Sequence, residues 1–199
     1  MAGRVPFVGL TGGLGAGKSE ALRLLSELGA ATLSTDAIVH ELLSGDELRD
    51  LVVERLGTDV VRDGALDRSA IAERVFGDEE ARRWLEGELW PRVGTRVAGW
   101  REEVESAHSP PRAAVVEVPL LFESGMETTF DRTIAVIADE TVRGRRAAAR
   151  GHASVAERAG LQLPQKEKAE RADFTVRNDG SLDELKQSLS RVLATLDQT

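Results

Sequence analysis

The chain has no cysteine among its 199 residues, which excludes disulfides and a thiolate metal site. Its three histidines, His40, His108 and His152, show no metal-ligand spacing, so no structural zinc is expected. No apolar run approaches the roughly 20 residues needed to cross a membrane. The start, MAGRVPFVGL, lacks the apolar region and cleavage site of a secretory signal. These absences set the expectation of a soluble, cytoplasmic protein without a membrane partner. Positive charge is also short, with 26 Lys and Arg against 34 Asp and Glu and a formal net charge of −8. That argues against a nucleic-acid partner. A small polyanionic ligand stays open, because backbone amides and a few placed cations can outweigh the mean charge.

The sequence is 41% hydrophobic, enough for one core, with or without an insertion. Five apolar stretches read as strands: Pro6–Gly12, Ala30–Thr35, one within Arg112–Leu121, Asp131–Ala138 and Asp173–Asn178. Helical patterns follow several of them: Glu20–Leu28 stops at Gly29, Asp36 opens another, and SLDELKQSLSRVLATL closes the chain. Alternation of this kind predicts an α/β fold with a mostly parallel five-stranded sheet. Two stretches do not alternate. Ser44 to about His108 contains no convincing strand and carries Trp84, Trp90 and Trp100, expected to fill a helical core. Thr141 to about Ala172 is helical and rich in Arg and Lys. Both read as insertions into the α/β core.

The segment GLTGGLGAGKSE, Gly9–Glu20, lies between the first strand and the first helix. Gly12, Gly17, Lys18 and Ser19 match G-x-x-x-x-G-K-[ST], the phosphate loop. Glycines let successive N–H groups turn toward phosphate oxygens, and the following helix adds its positive end. Residues Gly13, Leu14, Gly15, Ala16, Gly17, Lys18, Ser19 and Glu20 are the candidate nucleotide-binding set, with ATP the expected ligand. Lys18 can reach the β- and γ-phosphates, and the Ser19 hydroxyl can ligate Mg²⁺. No N-K-x-D guanine-reading motif follows the fourth strand. The third strand ends in VVEVP without the aspartate of an ordinary Walker B. Both absences favour a small-molecule kinase over a GTPase switch or a motor.

Further segments appear in order: TDAIVHELL after the second strand, DGALDR at Asp63–Arg68, EVPLLFESGM at Glu117–Met126, RAAAR at Arg146–Arg150, QLPQKEK at Gln162–Lys168 and RADFTVRNDGS at Arg171–Ser181. With the phosphate loop, they resemble the dephospho-coenzyme A kinase family over nearly the whole chain. The resemblance implies a P-loop nucleotide-kinase-like core (1–43, 109–140 and 173–199), a helical acceptor-binding insertion (44–108) and a small helical lid (141–172). It implies ATP-dependent phosphorylation of the ribose 3′-hydroxyl of dephospho-CoA. The chain departs from the family in keeping only the second aspartate of a D-x-D, at Ser34-Thr35-Asp36. It also has Trp90-Pro91 for His-Pro, Glu20 for Thr, and a shorter segment between Arg150 and Arg158.

Asp36 is the catalytic-base candidate; an Asp there also suits a helix N-cap. Arg146 and Arg150 share a helix face and suit transferring phosphates, although such a pair can equally be a solvated face. Arg158 matches a further family arginine. Glu117 can hold a water of the Mg²⁺ shell or be a buried, paired group. Asp67 and Arg68 can orient the acceptor region or form a local ion pair. Trp90 is a candidate to stack on acceptor adenine or cover pantetheine. Two other readings stay open, a kinase of another small alcohol and a nucleotide-binding regulatory module without catalysis.

Overall fold

Five strands, β1 (Phe7–Gly12), β2 (Ala31–Ser34), β5 (Ala114–Glu117), β6 (Arg132–Ile137) and β7 (Phe174–Arg177), form one parallel sheet in the order β2-β5-β1-β6-β7. The structure is a computed structural model and describes residues 4–149 and 162–198. Four of the strands lie within one residue of their expected bounds at each end, and β5 falls inside the expected Arg112–Leu121 stretch. The crossovers explain the near-continuous apolar runs, since helices cover a parallel sheet on its faces. Every residue of β1 and β5 is buried.

The chain divides into two compact units, Thr35–Trp100 and the rest. In the sheet unit, α1 (Lys18–Glu27) and the closing helix α8 (Leu182–Leu196) pack together over the sheet. Leu24 and Leu25 of α1 and Leu185, Leu189 and Leu193 of α8 meet Val8, Leu10, Ile134 and Val136 in one core. Each fully buried Leu or Ile contributes roughly 1.5–3 kcal/mol. Two further helices, α6 (Glu140–Ala149) and α7 (Gln165–Arg171), belong to this unit. Arg150 and Arg158 lie outside the described residues.

The other unit holds α2 (Thr35–Ser44), α3 (Arg49–Leu56), α4 (Arg68–Phe76) and most of α5 (Glu79–Glu105). It also contains what the sequence reading missed, a short antiparallel hairpin of β3 (Val61–Arg62) and β4 (Ala65–Leu66). Its two-residue turn is Asp63-Gly64, both at positive φ, 50° and 83°. Asp-Gly suits that turn because both positions must be left-handed. Two-residue strands carry no periodicity to read. The three tryptophans are not the core either. Trp84 and Trp100 are half-buried and Trp90 is exposed. The buried side of α5 is instead Ala81, Leu85, Leu89, Val93 and Val97. That four-residue spacing is the helical stripe, and the tryptophans fall beside it.

Candidate active site

β1 is the middle strand, and its C-terminal end feeds directly into the glycine loop. α1 begins at Lys18, two residues before the expected start, so Lys18 and Ser19 sit in its first turn. Gly17 is the N-cap at φ 93°, and no side chain caps the helix. Helix geometry leaves the first amides without acceptors inside the helix, so this end can receive an anion. A Cβ on Gly17 would stand 2.1 Å from Nδ2 of Asn178, so only glycine fits. The loop closes on itself as the Ala16 amide donates to the Gly13 carbonyl at 3.1 Å.

Lys18 turns back across the loop. Its Nζ donates to the Gly12 and Gly13 carbonyls at 3.1 and 3.4 Å. Ser19 is exposed. Glu20 lies in the same first turn and pairs with Arg23. Arg146 reaches the loop through one intermediary, its Nη1 donating at 3.0 Å to the carbonyl of Asn178. Asn178 is itself buried, and its Nδ2 donates to the Ala16 carbonyl at 2.9 Å. The sequence reading used Asn178 only to end a strand; the Asn-Asp-Gly run signalled a turn and hid the contact. Arg143, also missed, donates from Nε to the Leu14 carbonyl at 2.9 Å. A cleft of about 410 Å³ opens beside the loop, lined by Gly13, Arg143, Gln162, Gln165 and Lys166 among others.

Asp36 is exposed and is the second residue of α2, which starts at Thr35. The N-cap reading for Asp36 is therefore corrected: it lies within the first turn, where a carboxylate still meets the positive end of the helix. Glu117 ends β5 and is buried and partnered. Asp67 and Arg68 do not pair with each other. Asp67 caps α4, accepting from the Ser69 and Ala70 amides, and pairs with Arg62 at 2.8 Å. Arg68 Nη1 lies 3.3 Å from His40 Nδ1.

One buried cation escaped the sequence reading. Lys168 of α7 is fully buried, with Nζ 2.6 Å from the Pro119 carbonyl, 2.9 Å from Glu123 Oε1 and 3.4 Å from Thr11 Oγ1. Burial pushes its pKa below the ordinary lysine value, against the opposing pull of Glu123. Glu123 Oε1 also accepts the Leu163 amide at 2.7 Å. In sequence, Gln-Lys-Glu-Lys looks like a solvated face, and nothing local marks the second lysine as interior. Among the described residues, no group of three or more acidic or histidine side chains could hold a metal, and no helix is long and apolar enough to cross a membrane.

The sequence model of the family described as Dephospho-CoA kinase matches residues 6–184. A protein named dephospho-CoA kinase from Protochlamydia amoebophila is 38% identical over 193 residues, covering 95% of each chain. A solved structure, TT1252 from Thermus thermophilus, matches with a TM-score of 0.81 and 34% identity over 97% of this chain and 98% of that one. The solved dephospho-CoA kinase from Campylobacter jejuni matches with a TM-score of 0.65 over 98% of both chains; at 22% identity it speaks for the fold.

Proposed function

The chain belongs to the dephospho-CoA kinase family, and from that premise we propose that it transfers the γ-phosphoryl group of ATP to the ribose 3′-hydroxyl of dephospho-CoA. The products are coenzyme A and ADP, the last step of coenzyme A synthesis. The observation that carries this reading is the glycine loop, with its uncapped helix end and with Lys18 folded over it.

Gly13 to Glu20 form the proposed nucleotide cradle. Its amides and the first turn of α1 receive the phosphate oxygens. Lys18 exchanges its two loop carbonyls for phosphate oxygens, a trade of weak acceptors for charged ones. The Ser19 hydroxyl and the Glu117 carboxylate are hard oxygen donors of the kind Mg²⁺ takes, Glu117 through a water. When bound, that cation supplies charge neutralisation on the phosphate oxygens. Arg146 and Arg150 add guanidinium groups toward the transferring phosphate, with 141–172 acting as lid and 44–108 holding the acceptor. Asp36 takes the proton of the attacking hydroxyl. We place this activity in the cytoplasm, without a nucleic-acid or membrane partner.

The test is coenzyme A formation from ATP, Mg²⁺ and dephospho-CoA, with Asp36→Asn beside wild type. Asp36→Asn should cut turnover by roughly 10²–10⁴-fold and leave the melting temperature nearly unchanged, since the residue is exposed. ATP binding without product from wild type would point to another acceptor. Equal rates from both proteins would keep the function and remove Asp36 from the mechanism.

A further inference from the structure

We infer that Arg143 is a positioning residue, one that holds the phosphate loop in its nucleotide-receiving shape before any ligand arrives. The inference rests on the nucleotide-binding reading of the loop and goes beyond it by giving the loop's conformation a cause outside the loop.

Through Arg143, α6 meets the loop at three consecutive residues, Gly13, Leu14 and Gly15. Its guanidinium lies over Gly13, where an added Cβ would be 3.2 Å from Cζ. Its Nε donates to the Leu14 carbonyl at 2.9 Å. Its own carbonyl stands against Gly15, where an added Cβ would be 2.7 Å away and where φ is +76°. The side chain is only 19% exposed although α6 is otherwise a charged helix. Its ion-pair partner Glu140 is 86% exposed, so that pair contributes little.

The consequence follows from the planarity of the peptide group. In a trans peptide, the N–H of one residue points opposite to the C=O of the residue before it. Arg143 holds the Leu14 carbonyl, so the Gly15 amide is turned away from α6. Asn178 does the same to the Ala16 carbonyl and hence to the Gly17 amide. A loop with glycine at 13, 15 and 17 can otherwise flip these peptides at little steric cost. Each flip would replace a donor with a carbonyl oxygen, which repels phosphate. Arg143 therefore lowers the ordering cost of nucleotide binding and makes no demand on the transition state.

The experiment compares wild type, Arg143→Met, Arg143→Lys and Glu140→Gln. It measures ATP and ADP affinity by calorimetry, turnover at saturating ATP, melting temperature, and amide exchange of the loop in the free protein. Arg143→Met should weaken nucleotide binding about tenfold and speed exchange of the loop amides. Turnover at saturation and dephospho-CoA affinity should change far less. Arg143→Lys should recover part of the affinity, because an ammonium can donate to a carbonyl but cannot lie flat over Gly13. Glu140→Gln should match wild type. Unchanged affinity in Arg143→Met would overturn the inference, as would a fall in turnover with affinity intact, which would put the guanidinium on the transferring phosphate. Unchanged loop exchange would overturn it even if the variant were too unstable for kinetics. Failure of wild type itself to bind ATP would instead refute the nucleotide-binding reading.

Discussion

At the scale of single residues, the loop combines two demands that different substitutions separate. Lys18 donates to the loop carbonyls of Gly12 and Gly13 and is not part of the hydrophobic core. Lys18→Ala should leave cooperative folding intact and lower phosphoryl transfer by several orders of magnitude, because the phosphates lose their nearest fixed cation. Thermal melts beside a coupled ADP assay check both halves; near-wild-type turnover would remove the loop from catalysis. Gly17 is the opposite case. Its φ of 93° and the 2.1 Å clash with Asn178 tie shape to stability. Gly17→Ala should cost about 1–3 kcal/mol of stability and also abolish nucleotide binding, since relief of the clash moves Asn178 off the Ala16 carbonyl. A variant that melts and binds like wild type would contradict the described loop.

At the scale of elements, helix ends are held by side chains chosen for the purpose. Ser181 and Glu184 form a capping box at the start of α8. Asp67 caps α4. Hydrogen bonds from the Ala70 and then the Ser69 amide hold the Asp67 carboxyl below its ordinary pKa. The Ser181 amide, then its hydroxyl, does the same for Glu184. Folded carboxyls with lowered pKa stabilise the fold when ionised. That contribution is complete above the ordinary carboxylate values and disappears as pH falls through the folded ones. Asp67→Asn and Glu184→Gln should therefore lose less melting temperature than wild type between about pH 7 and about pH 3. Parallel curves for variant and wild type would show that the caps do not titrate with folding.

At the scale of the whole molecule, the buried Lys168 joins regions far apart in sequence: the end of β1, the turn after β5 and α7. Lys168→Ala leaves the mostly buried Glu123, 13% exposed, without its cation. Breaking one side of such a pair costs about 3–5 kcal/mol, or roughly 6–20 °C of melting temperature for a chain of this size. Lys168→Met with Glu123→Gln removes both charges and should recover a large part of the loss, as a double-mutant cycle reads directly. Additive losses would mean that the two side chains stabilise independently.

The alternation of apolar strands and helical stripes determined the α/β class and the five strands, because burial on both faces of a parallel sheet writes itself into continuous apolar runs. The spacing from Gly12 to Ser19 determined the phosphate loop, because its chemistry is local: glycine torsions, one lysine and one helix end. What acts across the fold was decided only by tertiary structure. Arg143, Asn178 and Lys168 are ordinary polar residues in sequence, and each gains its part from a partner more than 40 positions away. The tryptophans looked like core until the stripe of α5 placed smaller residues inside. The Asp63-Gly64 hairpin was too short for any period to reveal. Local pattern encodes which element forms; which polar group meets which is a property of the packed chain, since hydrogen bonds and ion pairs form between atoms that only the fold brings within reach.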